Sequence, residues 1–442
     1  MFALNRQKVI LTLGLPIIAG MLSQSVLNLI DAALVGQLGE ASLAGVGIGS
    51  YANFVAISLI LGLSSGVQTL VARHKGAGTH NNAASPVHWG IFISFLFALP
   101  LSLLYIHHSD WIVSLMSGDS AVQDIAEDYF DYRTAAMLAV GLNLSFRGWW
   151  NGNKTPVTYF KVLLFTHILN VAVSYCLIFG YFGLPKMGAP GAGLGSAIAL
   201  YSGAILNALL VYRNANSAGL FRWHSQSLSD FIRLLRLSIP HSLQQFLLSM
   251  AICILIWIIG QLGTSEQAIA HVLINLSLFL ILPAVGLGVA STSLVSHALG
   301  ESKPEEALRW GWDVLKTAIA VMILLSTPLW FFPETVLAIF LQSEALIAEA
   351  VIPLQLTALA ICLDAAAIVL TQALFGVGAN RTVLMISSFG LWGFYLPLAW
   401  LFGPALGYGL LGIWCVQVIY RTLSSLAFIR IWQQQHWQHI KI

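Results

Sequence analysis

Apolar residues dominate this chain in runs of about 20 or more residues, separated by short polar stretches. Runs of this length are long enough to cross the hydrocarbon core of a bilayer as helices. The pattern predicts twelve spans, at about 9–35, 43–72, 88–115, 123–148, 158–181, 192–214, 231–260, 267–298, 310–340, 348–376, 382–402 and 406–432. The predicted fold class is therefore an all-α polytopic membrane protein.

Composition supports this prediction, and the distribution of charge predicts how the spans are oriented in the membrane. The 442 residues are 58% hydrophobic and 9% charged, whereas a soluble domain carries roughly 25% charged residues. Lys and Arg collect in every second loop, beginning with Arg6 and Lys8 before span one and Arg73 and Lys75 after span two. Short cytoplasmic loops gather basic residues, so both termini are predicted to be cytoplasmic, with the protein in the inner (plasma) membrane. The net charge of +2 gives no reason to expect a nucleic-acid partner.

The chain contains an internal repeat. Gly36-Gln37-Leu38-Gly39 recurs 224 residues later as Gly260-Gln261-Leu262-Gly263, and the same gapless register aligns Pro16 with Pro240. Six spans in each half is an even number, so the two halves are predicted to be parallel repeats about an axis along the membrane normal. The predicted organisation is a six-helix lobe at 1–214, a polar cytoplasmic linker at 215–230 and a second six-helix lobe at 231–442.

Polar residues inside two spans form stripes. Gln24, Asn28 and Asp31 share one face of span one, and span five carries a similar stripe that includes Asn170 and Ser174. Because lipid offers no hydrogen bonds, such stripes face each other or a wet cavity. The amides and the serine fit a packed polar seam as well as a cavity lining. An acid at membrane depth is costly, and Asp31 is therefore interpreted as a functional group that carries protons.

Several motifs together resemble the multidrug and toxic compound extrusion (MATE) family. They are the proline fifteen residues before Asp31, the Gly-x-Leu-Gly turn after it, RGWWNGNKTP at 147–156 and its second-half counterpart ALFGVGANRT at 373–382. The resemblance covers essentially the whole chain. It implies an antiporter that exports amphipathic, often cationic drugs or toxic compounds by alternating access, coupled to inward H⁺ or Na⁺.

The resemblance also assigns residues in the first half. Asp31 matches the carboxylate of the family's N-lobe cavity, Asn170 matches the asparagine beside it, and Ser196 stands where a hydroxyl residue is usual. Ser174 stands where the branch related to DNA-damage-inducible protein F (DinF) often has an acid, and this branch is the predicted subfamily. Pro16 is expected to be either a hinge or a static kink in span one.

In the second half, Asp364 matches the family's tenth-span aspartate, and Leu248 replaces a glutamate that the sodium-coupled branch carries. The resemblance therefore favours H⁺ over Na⁺ as the coupling ion. Asp364 is predicted to contribute to proton or cation coupling, but it fits equally well a carboxylate satisfied by a neighbouring helix or by a water shared with Thr371.

Other functions are less well supported. A lipid-linked precursor flippase of the same superfamily would need basic residues in the cavity to meet pyrophosphate. Arg421 is the basic residue well inside the predicted spans, and its position fits an earlier end of span twelve as well. An intramembrane enzyme would need catalytic groups at working spacing, which the sequence lacks. No cofactor and no metal are expected, and the four cysteines have no metal-type spacing. The expected partners are small amphipathic substrates and the bilayer, with the protein a monomer.

Overall fold

The computed structural model describes residues 2–215, 220, 227–341 and 343–440, and all of its regular structure is helical. In this part of the chain, eleven helical segments are long and apolar enough to cross a membrane. The predicted span at 123–148 is the exception, because it is divided into α7 (Ser120–Ala135) and α8 (Met137–Gly152). The break falls at Ala136, whose ψ of 0° departs from helical geometry. With this broken helix, the described chain has the twelve predicted spans.

The helices form two compact units. The N-unit is Ala19–Gln245, and the C-unit combines Met1–Ile18 with Phe246–Ile442. Two long helices, α1 (Phe2–Gly36) and α11 (Ser227–Gly260), contribute to both units. The predicted lobe boundaries stay a prediction, and most of the predicted 215–230 linker lies outside the described residues.

Apart from α1 and α11, each helix lies within one unit. Besides α7 and α8, the N-unit contains α2 (Glu40–Ser58), α3 (Gly62–Gly76), α4 (Ser85–Ile93), α5 (Leu99–His107), α6 (Ser109–Ser114), α9 (Pro156–Phe179) and α10 (Ala189–Ala215). The C-unit contains α12 (Thr264–Leu280), α13 (Leu282–Gly300), α14 (Pro304–Phe331), α15 (Pro333–Leu337), α16 (Glu344–Val377), α17 (Asn380–Ser388), α18 (Leu396–Trp400) and α19 (Gly409–Gln434). Short π-helical turns at Ser94–Ala98, Phe389–Tyr395 and Leu401–Ala405 continue their neighbouring helices without ending them.

The repeated Gly-Gln-Leu-Gly motif makes the same turn in both units. Its last glycine precedes α2 as Gly39 and α12 as Gly263, with φ angles of 109° and 143°. Residues with a side chain rarely adopt these φ angles, so glycine is the residue that permits the chain to reverse here. The sequence repeat therefore reflects a repeated backbone conformation.

Each unit also contains an equivalent close contact between two of its own helices. In the N-unit, a Cβ at Gly62 would lie 2.2 Å from the backbone oxygen of Ser238 and 2.6 Å from the nitrogen of Ser242. In the C-unit, a Cβ at Gly286 would lie 2.5 Å from the side chain of Ile18. Gly286 and Gly62 are separated by the repeat interval, as are Ser242 and Ile18. The start of α3 therefore packs on α11 as the start of α13 packs on α1, and glycine permits both approaches.

Large apolar side chains cover much of the outer surface. Leu29, Leu324 and Phe389 are among them, exposed by 69%, 72% and 76%. Hydrocarbon solvates such groups, so this surface is suited to a membrane. Among the polar side chains predicted for the site, Asn170, Ser174, Ser196 and Asp364 are buried.

Candidate functional site

The buried part of the N-unit site joins α9 to α10. The Asn170 amide nitrogen donates to the Ser196 hydroxyl at 3.0 Å, and the Ser174 hydroxyl donates to the Asn170 amide oxygen at 3.1 Å. All three side chains are buried. Both polar ends of Asn170 are thus satisfied at a depth where lipid would satisfy neither. This group has the geometry of a packed polar seam.

A second hydrogen-bonded chain joins α9 to α1. The Gln24 amide nitrogen donates to the Asn28 amide oxygen at 3.1 Å, and the Gln24 oxygen lies 3.1 Å from His167 Nε2. An amide oxygen only accepts, so His167 Nε2 carries the hydrogen and the imidazole is arranged as its Nε2–H tautomer. Gln24 and Asn28 are exposed, whereas His167 is buried. This chain therefore runs from a buried imidazole to an accessible face of α1.

Asp31 ends the accessible face and differs from its neighbours. It is partly buried, and its Oδ1 atom is inaccessible and has no hydrogen-bond partner among the described residues. The charge of Arg133 on α7 acts on the carboxylate, while the Nε atom of Arg133 is likewise buried without a partner in the described chain. Asp31 therefore differs from the amides of the same face in having a buried acceptor atom that no described side chain satisfies.

The C-unit places its acid in a different environment. Asp364 on α16 is 4% exposed, and it forms an ion pair with Arg421 on α19 in which Nη1 contacts Oδ2. Seven residues earlier on each of the same two helices, the Trp414 indole nitrogen donates to the Thr357 hydroxyl at 2.7 Å. The structure contains the contact from a neighbouring helix that the sequence allowed for Asp364, and Arg421 makes it.

Aromatic rings flank the ion pair. Tyr395 and Tyr420 stack with their centroids 5.2 Å apart, and the Arg421 guanidinium lies 5.9 Å from the Tyr420 ring. Positive charge is attracted to the face of an aromatic ring. The ion pair of Asp364 and Arg421 therefore lies beside two stacked phenol rings.

The remaining predicted residues lie apart from these clusters. Pro16 lies inside α1, two residues before the point at which α1 passes from the C-unit to the N-unit. Leu248 is an exposed residue of α11. The four cysteines are free, and the described residues include no group of three or more metal-ligating side chains.

Three residues extend the predicted set. His167 belongs to the span-five stripe that the sequence indicates, but its bond to Gln24 depends on how α1 and α9 pack. Arg133 lies within the predicted span 123–148, but no sequence pattern connects it with Asp31. Arg421 was visible as an internal basic residue, but its pairing with Asp364, 57 residues away, could not be read from the sequence.

Two helical units that each hold an acid at membrane depth have the features of a membrane transporter. The MatE family model matches the chain at residues 16–176 and again at 240–401. The two matches begin 224 residues apart, which is the interval of the repeat, and together they cover more than half of the sequence. The chain therefore belongs to the MATE family.

Curated relatives match almost the full length. The chain is 25% identical over 437 residues to a probable multidrug resistance protein NorM of Pasteurella multocida, covering 96% of this chain and 93% of that protein. It is 24% identical over 434 residues to the probable NorM of Thermotoga maritima, covering 96% and 92%. These relatives carry the NorM name, and the DinF-type branch is not confirmed.

Solved structures share the fold. One is described as the outward-facing conformation of a multidrug resistance MATE family transporter of the MOP superfamily, with a TM-score of 0.90, 20% identity and coverage of 99% of this chain and 97% of that one. A MOP superfamily transporter from Pyrococcus furiosus matches with a TM-score of 0.87, 21% identity and coverage of 97% and 95%. The predicted two-repeat, twelve-helix architecture is confirmed.

Proposed function

We propose that the protein exports amphipathic, often cationic compounds across the plasma membrane in exchange for protons. The observation that carries this proposal is Asp31, a partly buried carboxylate whose Oδ1 atom has no hydrogen-bond partner in the described chain. A permanent structural acid would be expected to have such a partner, because an unsatisfied buried acceptor is costly. The multidrug resistance names of the NorM relatives support the same substrate class.

Coupling follows from competition for one carboxylate. A cationic substrate interacts favourably with ionised Asp31, and protonation removes the charge that attracts it. The two ligands therefore exclude each other, and a gradient of one drives movement of the other when the site opens alternately to each side. Gln24 and Asn28 lie on the accessible face of the same helix and supply polar contacts to the substrate.

The proposal includes a hinge at Pro16. Proline removes one backbone hydrogen bond and weakens a helix locally, and this one lies two residues from the boundary between the units. Protonation of Asp31 would then favour one bend of α1. Solved MATE structures described as straight and bent conformations support a fold that accommodates two states.

Protons are favoured over sodium for two reasons. Leu248 occupies the position in span seven at which the sodium-coupled branch has a carboxylate. The Asp364 carboxylate already has Arg421 as its counter-ion. The proposed role of Asp364 in coupling is therefore secondary to that of Asp31.

A lipid-linked precursor flippase is the alternative. A diphosphate group carries several negative charges and calls for uncompensated basic residues. Arg421 is compensated by Asp364, which makes it a poor diphosphate site.

The DinF-type branch, the cytoplasmic termini and the monomeric state remain predictions. Cysteine accessibility in the 215–230 linker would test the orientation, and an externally accessible linker would overturn it.

Transport in proteoliposomes tests the function directly. A proton gradient and a sodium gradient are imposed separately, and efflux of a fluorescent cationic dye is followed for wild type, Asp31→Asn and the control Asp124→Asn, which changes an exposed carboxylate on α7. We expect the proton gradient alone to drive efflux, wild type and Asp124→Asn to transport equally, and Asp31→Asn to fall to background at matched reconstitution. Wild-type rates in Asp31→Asn, or efflux driven by sodium alone, would contradict the proposal.

A further inference from the structure

Arg133 is an arginine of the N-unit whose guanidinium has no bound partner. It lies in the last turn of α7, and in the described part of the chain it forms no hydrogen bond and no ion pair. Its Nε atom is inaccessible, whereas its terminal nitrogens are accessible. The residues outside the described ranges contain no Asp or Glu, so a side-chain carboxylate for Arg133 has to come from a described residue.

The carboxylate on which the charge of Arg133 acts is that of Asp31. The open positions of the two side chains are complementary. In the described chain, Oδ1 of Asp31 is an inaccessible acceptor without a partner, and Nε of Arg133 is an inaccessible donor without one. Leaving such atoms buried and unsatisfied is costly. A conformation in which the guanidinium contacts the ionised carboxylate would satisfy both atoms and pair both charges.

The position of Arg133 lets its side chain move. α7 ends at Ala135, immediately before the break at Ala136, and the last carbonyl groups of a helix lack the hydrogen bonds that hold its interior. The arginine stem also has many rotamers. A basic residue in the last turn of a helix interacts favourably with the helix dipole, but that interaction gives no reason for the unsatisfied acceptor on Asp31.

The C-unit contains a closed pair of the same kind. Asp364 on α16 is contacted by Arg421 on α19, so this chain satisfies one of its acids with an arginine from another helix. In the N-unit the acid is on α1 and the arginine is on α7, and the two are apart. A pair that opens leaves Asp31 accessible to other cations, which a pair that stays closed does not.

We propose that Arg133 is a positioning residue that serves as the internal counter-cation of Asp31. It closes onto the ionised carboxylate when the site holds neither a proton nor a substrate, and either of these displaces it. This inference rests on the proposed exchange at Asp31 and adds the regulation of that site. Arg133 then competes with the substrate for one carboxylate, so its removal has to strengthen the binding of cations.

The sign of one change in substrate affinity tests the pair. Rhodamine B ethyl ester is a fluorescent organic cation, and its binding to protein in nanodiscs is measured by fluorescence polarisation at fixed pH, with binding to empty nanodiscs subtracted. The variants are Arg133→Gln, Arg133→Met and Arg133→Lys, together with Asp31→Asn and Asp31→Asn/Arg133→Gln. Arg213→Gln removes an exposed basic residue of α10 in the same unit and is the control.

We expect Arg133→Gln and Arg133→Met to bind the dye about threefold to fivefold more tightly, a factor typical of one charge pair near a surface. Arg133→Lys keeps the charge and should stay within about twofold of wild type, as should Arg213→Gln. In the Asp31→Asn background, Arg133→Gln should leave affinity unchanged, because no carboxylate is shared. The gain should persist at about 1 M salt, which screens exposed charges beyond about 3 Å but not a contact pair.

Weaker or unchanged binding in Arg133→Gln and Arg133→Met would overturn the inference and leave Arg133 as a partner of the helix dipole. A gain that disappears at high salt would also overturn it, in favour of long-range repulsion between Arg133 and the dye. The proposed function has a separate readout, which is proton-driven export of the ester. If wild type exports the ester, Asp31→Asn does not, and neither neutral variant of Arg133 binds it more tightly, only the role of Arg133 is wrong.

Discussion

The two units place an acid at membrane depth in opposite ways. Asp31 in the N-unit is partly accessible and has a buried oxygen without a hydrogen-bond partner in the described chain. Asp364 in the C-unit is almost fully buried and ion-paired with Arg421. Asp364 has a basic side chain in direct contact, whereas the charge of Arg133 acts on Asp31 without a hydrogen bond to its Oδ1 atom in the described chain. This difference is the basis for the proposed division of roles, with coupling at Asp31 in the N-unit and a charge pair in the C-unit.

This division exists within a repeated scaffold. The glycine turns before α2 and α12 and the contacts at Gly62 and Gly286 are the same in both units. The repeat therefore maintains helix placement, while the polar residues between the helices differ. At Gly62 and Gly286 a side chain would overlap the neighbouring helix, so few substitutions are tolerated. The polar residues around the two acids are not constrained in this way, and they differ between the units.

The largest effect on stability should come from separating the C-unit pair. Asp364→Asn leaves the Arg421 charge without its partner. Removing one member of a fully buried pair costs about 3–5 kcal/mol, and the partial exposure of Arg421 places the expected loss below that range. We expect Tm in detergent to fall by several degrees for Asp364→Asn, to recover in Asp364→Asn/Arg421→Gln, and to remain near wild type in Asp31→Asn. Equal Tm values for both single variants, or a larger fall for Asp31→Asn, would contradict the assignment of a fixed pair to one unit and an exchangeable acid to the other.

A smaller effect is expected in the N-unit seam. Ser196→Ala removes the acceptor of the Asn170 amide, and hydrogen bonds between membrane helices contribute about 0.6 kcal/mol each on average. Tm should therefore fall only slightly, with proton-driven efflux close to wild type. Ser202→Ala is a matched control, because its hydroxyl is exposed and bonds to the backbone of its own helix. Loss of transport in Ser196→Ala with unchanged stability would instead make the seam part of the coupling site.

The sequence predicted the scaffold well because membrane helices follow from long apolar runs and because the repeat preserves spacing. It did not predict the break at Ala136, since that residue has no turn chemistry and an ordinary helix propensity. The polar stripes of α1 and α9 were also predictable, because helical spacing alone places Gln24, Asn28 and Asp31 on one face.

The partners of the two acids were harder to predict. Pairing between Asp364 and Arg421 depends on which helices are neighbours, and a contact across 57 residues leaves no local pattern. The same is true of Arg133, whose charge acts on Asp31 from a helix about one hundred residues further along the chain. Sequence patterns identify which side chains are buried in the membrane, but helix packing decides which of them are paired.

The central claim is that a proton and a cationic substrate compete at Asp31. It is tested most directly by measuring proton release when rhodamine B ethyl ester binds to purified protein in weakly buffered solution containing a pH-indicator dye. The account predicts proton release on binding by wild type and by Asp124→Asn, and none by Asp31→Asn at equal occupancy. Undiminished proton release from Asp31→Asn would contradict it, because the exchanged proton would then come from another group.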